Sequence, residues 1–306
     1  MIFDKNEDGS YLLKSGGGLS YPRVLSCGDS TGNRLMGPIL KRVKDLGIPI
    51  FENTQVDSLQ LNKNGTPVLN INENGLEKQL NCRNLIIATG GLLPPEKRAG
   101  LDSNHSPDGV ELARMVGAET CNPDLIQYHP TGIVSPKSLR RERLPEKLRS
   151  LGARIVDKNY QEIAPGLLTR GELTKSIVDA CKEGRGVSTS DGYVGVWLTT
   201  SDIEPKYGSG YIKANYPKFY NMFIKEGINM SVSDVLVYPI VHYSLGGIRI
   251  NHECQTSIPR IYAVGETTYG IHGEDRLMGN SLLDIFVFGK VAGESVGRAV
   301  KKVINE

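Results

Sequence analysis

Along residues 31–46, TGNRLMGPILKRVKDL, apolar positions recur at helical spacing, and Gly47 follows where a helix needs a C-terminal stop. The pattern then changes. IPIFENTQVDSLQLN and TPVLNINENG read as strands, with Asn64-Gly65 as a hairpin signal between them. RNLIIATGG, residues 83–91, is a short apolar run that ends in Ala-Thr-Gly-Gly. It predicts a strand of a parallel sheet, buried on both faces, with ligand space beyond its carboxyl end. SPDGVELARMVGA, residues 106–118, predicts a helix with Ser106 as N-cap and Pro107 in its first position. From 120 to about 240 the texture is different. There are more loops, a basic stretch SLRRERLPEKLRS, a helix over 171–183 and the tyrosine-rich YGSGYIKANYPKFYNMF. This segment reads as a separate, smaller domain. After 245 strand and helix patterns return in GGIRIN, RIYAVGE and a helix from about 281.

Residues 1–30 carry a charged opening and Gly16-Gly17-Gly18 without a first strand, and so read like the middle of a domain. The 306-residue chain is long enough for two domains, or for one domain with an insertion. With 39% hydrophobic and 23% charged residues it has the composition of a soluble globular protein. A net charge of +2, with no long basic run, gives no support to a nucleic-acid binder. Cys27, Cys82, Cys121, Cys181 and Cys254 are widely scattered and suggest reduced thiols. No apolar run reaches the ~18 residues of a membrane span, and the polar start is not a signal peptide. The expected location is cytoplasmic.

Candidate chemistry lies in separated clusters. His129 precedes a proline in YHPTGI and therefore sits in extended or turn backbone. Glu146 and Arg149 lie in PEKLR, Arg170 stands at a helix start in LLTRGEL, and His242 and Arg276 come later. Two histidines among several arginines suit a small anionic substrate, because a guanidinium presents a planar fork to carboxylates. A second set suits a nucleotide. Ala88, Thr89, Gly90 and Gly91 end one strand, and Gly265 and Glu266 end another, where the carboxylate suits a ribose hydroxyl. Asn280, Ser281 and Leu282 open the last helix, whose free amides suit an electron-rich group. These features favour a dinucleotide or a flavin, although no G-x-G-x-x-G occurs in the chain.

Taken in order, CGDSTG at 27–32, ATGG at 88–91, HPTGI at 129–133, HYSLGGI at 242–248, AVGE at 263–266 and GIHGEDRLMGNSLLDIFVFGKVAGE at 270–294 make the chain resemble a known family. It is similar to the flavoprotein subunit of succinate dehydrogenases and fumarate reductases, whose relatives include L-aspartate oxidase. The last block is close to that family's H-G-x-x-R-L-x-x-N-S-L motif. The resemblance implies an α/β fold: part of a Rossmann-like FAD-binding domain with an inserted α+β capping domain. It implies an FAD-binding first part over 1–121, a capping domain over 122–240 and an FAD-binding second part over 241–306. It also implies hydride transfer between flavin N5 and a dicarboxylate C=C bond, with Arg170 moving the proton through Glu146 and Arg149. His129, Thr131, His242 and Arg276 would bind the substrate carboxylates. Ala88 to Gly91, Gly247, Gly265, Glu266 and Asn280 to Leu282 would hold FAD. An iron–sulfur subunit is an implied partner, with a peripheral membrane location through partner subunits. Neither a metal site nor a nucleic-acid partner is implied.

The chain also departs from the family pattern. The family's first strand and G-x-G-x-x-G turn would lie upstream of Met1. Pro145 stands where the family has Thr, and Ser150 and Leu151 replace Gly and an acidic residue. Gly171 follows Arg170 where Asp is usual. Three readings therefore stay open: an enzyme interconverting fumarate and succinate, an L-aspartate oxidase-like enzyme, and a non-catalytic truncated relic or interaction module.

Overall fold

In a computed structural model, residues 3–28, 30–93, 108–140, 142–165 and 167–305 are described, the side chains up to 302. They divide into two units. One comprises residues 1–40, 98–100 and 128–242, and the other 41–97, 101–127 and 243–306. The first forty residues thus pack with the 128–242 segment, whereas the sequence reading grouped residues 1–121 together. The tie is backbone: the Gly18 amide donates to the Leu167 carbonyl at 2.9 Å. Gly17 is confined there, since a Cβ on it would meet the Leu168 carbonyl oxygen at 2.8 Å.

The first unit is built on a five-stranded sheet. Ile126–Ile133 lies beside Val235–Ser244, then Val194–Leu198, then Ile155–Val156, with Val187–Ser188 also paired to Val194–Leu198. The alternating pattern of these strands turns Val196, Leu198, Val235 and Val237 into one core with Leu144, Leu148, Phe223 and Met230. The helix Arg170–Lys182 adds Leu173, Ile177 and Ala180, spaced as one helical face. Thr169 caps it in a reciprocal box with Glu172, which starts the helix at Arg170. His129 and His242 sit on the neighbouring pair Ile126–Ile133 and Val235–Ser244.

The second unit has three small sheets. A meander of Thr54–Leu61, Pro67–Glu73 and Leu76–Asn81 is antiparallel throughout. The expected second strand ends earlier than its apolar pattern suggests, because Asn74 and Gly75 both take positive φ and form a turn into a third strand. Leu85–Ile87 pairs in parallel with Ile261–Ala263. Ile86 is 39% exposed, so this strand is buried on one face and not on both. Gly247–Arg249 lies between Thr268–Tyr269 and Thr120–Cys121. The helix Asp108–Met115 buries Val110, Leu112 and Ala113 against Ile87, Ile248 and Ile261. The predicted cap, Ser106 with Pro107, lies outside the described residues.

The long helix Asn280–Asn305 runs against the usual pattern. Asp284 is buried, whereas Leu283, Ile285, Phe286 and Val287 are exposed. Among the described residues all five cysteines are free thiols. No described helix is long and apolar enough to cross a membrane, and no described group of His, Cys, Asp and Glu could hold a metal ion.

Candidate active site

The first unit gathers residues that are far apart in sequence. Arg170, on the first turn of its helix, donates its Nε hydrogen to Oε1 of Glu146. The same carboxylate oxygen is 3.6 Å from Nε2 of His129. All three are buried. His129 is held by its own strand: Nδ1 lies 3.4 Å from the Thr131 amide and 3.3 Å from Thr131 Oγ1. With Nδ1 facing a backbone N–H donor, the proton belongs on Nε2, towards Glu146. The Thr131 hydroxyl donates to the Leu144 carbonyl at 3.0 Å. Thr131 therefore helps to orient His129.

His242 packs edge-on against His129, with ring centroids 5.3 Å apart and an interplanar angle of 88°. Its Nδ1 lies 2.6 Å from Nη1 of Arg143. A guanidinium can only donate, so Nδ1 carries no proton and Nε2–H is the donor of a neutral ring. Sequence reasoning missed Arg143 among the basic residues of SLRRERLPEKLRS. Its signal is the antiparallel bridge between Gly132 and Arg143, which no local pattern announces.

Arg149 completes the cluster. It is 6% exposed, and its three guanidinium nitrogens have no hydrogen-bond partner. Burial holds its pKa below the ordinary value, the Glu146 carboxylate opposes that shift, and the Arg170 charge adds to it. Among the described residues, the cluster thus brings two buried guanidiniums, Arg149 and Arg170, to the buried Glu146 carboxylate, with Arg143 half-buried nearby through His242.

The second unit carries the other set. Leu85–Ile87 and Ile261–Ala263 are parallel and in register, so Ala88, Thr89, Gly90 and Gly91 emerge at the same end as Gly265 and Glu266. Gly90 and Gly265 take φ of 78° and 74°, backbone that favours glycine. Thr89 packs on the helix Asp108–Met115, where a Cβ at Gly109 would lie 2.0 Å from Thr89 Oγ1. Glu266 Oε1 accepts the Ser244 amide at 2.8 Å, so this oxygen anchors the end of a strand. Gly246 and Gly247 answer to protein backbone: a Cβ would meet the Asn122 carbonyl oxygen at 1.8 Å and the Thr267 carbonyl oxygen at 2.2 Å, respectively. Asn280, Ser281 and Leu282 open the long helix as expected.

Arg276 belongs to this second unit. It is buried, with its guanidinium 4.4 Å from the centre of the Tyr243 ring. Gln127 donates to the Arg276 carbonyl at 2.8 Å and to Asp275 at 2.6 Å. His272 also packs edge-on against Tyr243, with Nε2 3.4 Å from the buried Asp284. His272 and Asp284 were not singled out from sequence. A lone acid in the apolar run SLLDIFVF is the signal that could have found the second.

These strand ends, glycine turns and the open helix start are the elements of a nucleotide-binding α/β fold. The family model described as FAD binding domain matches residues 1–282. The chain belongs to the FAD binding domain family. An uncharacterized FAD-dependent oxidoreductase of Methanocaldococcus jannaschii is 30% identical over 311 residues, covering 98% of this chain and 55% of that protein. The L-aspartate oxidase of Pseudomonas aeruginosa is 29% identical over 301 residues, covering 94% of this chain and 54% of that one. The FrdA chain of Escherichia coli quinol fumarate reductase shares the fold, with a TM-score of 0.85 and 24% identity over 97% of this chain and 54% of its own. The chain spans about half the length of the relatives it matches. Its cofactor is FAD. The second unit of this FAD binding domain chain fits that group: glycine turns leave two parallel strand ends without bulk, and the buried Thr267 Oγ1 and Asp284 Oδ1 have no hydrogen-bond partner.

Proposed function

We propose that this FAD binding domain protein interconverts fumarate and succinate, with the polar cluster of the first unit as its dicarboxylate-binding and proton-handling machinery. The observation that carries the reading is the convergence of buried Arg149, Arg170 and Glu146 beside the paired rings of His129 and His242. Arg and His donors gathered in this way match the oxygens of a dicarboxylate. Bound FAD supplies the hydride chemistry. Ala88 to Gly91, Gly265, Glu266 and Asn280 to Leu282 are the residues that would hold it.

The chain's own residues do the rest. His242, fixed by Arg143 as an Nε2–H donor, and His129, fixed by Thr131, orient carboxylate oxygens without adding charge of their own. Arg170 delivers the proton to the substrate carbon opposite the hydride, and Glu146, hydrogen-bonded to its Nε, refills it. An arginine is a weak acid, so the step needs the second cation, Arg149, to oppose the charged state of Arg170. Arg276 is assigned to substrate carboxylate recognition. An iron–sulfur subunit is the proposed electron partner, and a cytoplasmic location, peripheral to the membrane through partner subunits, goes with it.

A second reading, oxidation of L-aspartate, rests on the relative at 29% identity. Aspartate brings an ammonium group, whereas the cluster offers one buried acid and several donors, which favours the first reading. The test is anaerobic. The flavin-loaded protein is bleached with dithionite and mixed with fumarate while its visible absorbance is followed. Fumarate restores the oxidised spectrum, and Arg170→Gln slows this by roughly 10²–10⁴-fold, the contribution of a positioned acid, with flavin still bound. His242→Ala weakens fumarate binding without loss of flavin. An unchanged rate in Arg170→Gln refutes the assignment. Bleaching of the oxidised flavin by L-aspartate, without a fumarate response, establishes the second reading instead.

A further inference from the structure

His272 and Asp284 form a buried pair that the proposed chemistry leaves without a role. Asp284 is buried on the helix Asn280–Asn305, whereas its neighbours Leu283, Ile285, Phe286 and Val287 are exposed. The helix is thus turned so that its acid, and not its apolar residues, faces inward. Burying a carboxylate is unfavourable unless its charge is met. Asp284 Oδ2 lies 3.4 Å from Nε2 of His272, and the two side chains are 2% and 11% exposed.

The loop that carries His272 also carries Arg276. It runs from the strand Thr268–Tyr269 to the helix, and the glycines near its ends, Gly270 and Gly279, take φ of 103° and 83°. Left-handed backbone at both ends gives the loop its turns and no rigidity, so side chains must hold it. Gln127 fixes the backbone, donating to the Arg276 carbonyl at 2.8 Å and to Asp275 at 2.6 Å. The Arg276 side chain is placed differently. Its guanidinium lies 4.4 Å from the centre of the Tyr243 ring, and the same ring meets His272 edge-on, with centroids 5.8 Å apart. Contacts therefore run from Asp284 to His272, from His272 to Tyr243 and from Tyr243 to Arg276, all within one unit of the chain.

We propose, on the reading that Arg276 meets a substrate carboxylate, that His272 is a positioning residue for that recognition and Asp284 its anchor. The carboxylate holds the imidazole, the imidazole holds the Tyr243 ring, and the ring holds the guanidinium in one direction. A planar fork held in one direction makes a bidentate contact with a planar carboxylate. A guanidinium free to swing carries the same charge but must be ordered on binding, which lowers affinity.

The test is calorimetric titration of fumarate into the oxidised, flavin-loaded protein, where it binds without turnover. His272→Phe keeps a ring against Tyr243 and cuts the tie to Asp284. It is expected to weaken fumarate binding by roughly 10–100-fold, the size seen when a residue that orients a binding group is lost. Its flavin content is retained, and after dithionite bleaching its rate of re-oxidation at saturating fumarate stays within about 2-fold of wild type, so the loss falls on half-saturation and not on the limiting rate. His272→Gln, smaller and without a ring, and Asp284→Asn, which keeps an oxygen at Oδ1, weaken fumarate binding likewise. Arg276→Gln weakens it directly, and adding His272→Phe to Arg276→Gln has no further effect. Unchanged affinity in Arg276→Gln overturns the reading of Arg276 and the proposal with it. Weakening in Arg276→Gln with unchanged affinity in His272→Phe, His272→Gln or Asp284→Asn overturns the proposal alone. Losses that add in the double variant, or loss of flavin or of the fold in both His272 variants, overturn it as well, by giving the pair a structural or cofactor role.

Discussion

Replacing Glu146 with glutamine tests the charge balance of the cluster directly. Glutamine keeps the shape and one acceptor oxygen for Arg170 Nε, so packing and hydrogen-bond geometry are conserved while the charge is removed. The buried Arg149 and Arg170 guanidiniums then lose the carboxylate charge that acts on both of them. A contact between unit charges near 4 Å is worth about 4 kcal/mol at an effective dielectric of 20. Breaking a buried pair by removing one partner costs about 3–5 kcal/mol in measured cases. Glu146→Gln is therefore expected to lose about 3–5 kcal/mol, read as a fall in the urea midpoint at unchanged slope. Coupling gives a second reading. Arg149→Met removes one of the two stranded cations, so the double variant Glu146→Gln/Arg149→Met loses less than the sum of the singles, by about 1–3 kcal/mol. A loss below about 1 kcal/mol for Glu146→Gln, within the range of exposed pairs, together with additive double-variant losses, would refute the view that these charges are mutually dependent.

Lys147 offers a pH-dependent test. Burial and the neighbouring Lys14 charge lower its pKa to about 8, against a weaker opposing pull from Asp4. At pH 8 about half of its amine is neutral, against roughly 0.4% for an ordinary lysine. Amine labelling followed by mass spectrometry should show a midpoint near 8 that rises in Lys14→Met; an ordinary midpoint in the wild type contradicts it. The sign for stability comes from the lowered folded value: the penalty of the charged form is full below about pH 8 and is relieved as pH rises towards the unfolded value. Gly246→Ala places a Cβ 1.8 Å from the Asn122 carbonyl oxygen and is expected to lose at least about 3 kcal/mol or fail to fold. Gly289→Ala, whose Cβ meets nothing within 4 Å, should gain about 0.5–1 kcal/mol by helix propensity. Equal urea midpoints for these two variants would remove the steric account of the Gly246-Gly247 turn.

Much of the local structure is legible in the sequence because it rests on short-range rules. The helix Thr31–Asp45 with Gly47 beyond it, the start of the helix at Arg170 and the opening of the last helix at Asn280 all follow from spacing and caps. The parallel strand at Leu85–Ile87 is legible from its apolar run, but not its exposed Ile86, because burial is decided by what packs on each face. The turn at Asn74-Gly75 carries its own signal, yet the strand pattern before it masks the signal. In the candidate site, residue type and motif single out Glu146, Arg149, Arg170, His129 and His242. That all five converge in one unit is a property of the sheet and of the helix Arg170–Lys182.

Residue order alone establishes the chemistry available: His129 and several arginines in the middle segment with His242 just beyond it, glycine-ended strands on either side, and no acid directly after Arg149. Those are properties of composition and spacing, which hold without knowledge of the fold. Who meets whom is a matter for the folded chain. It set Arg143 on His242, placed the Thr131 hydroxyl between His129 and the Leu144 carbonyl, fixed Gly246 and Gly247 by the approach of other backbone, and buried the Arg149 guanidinium without a hydrogen-bond acceptor. The physical reason is range. Caps, turns and periodicity act over a few residues, whereas desolvation and charge pairing depend on neighbours that the chain brings together from far away.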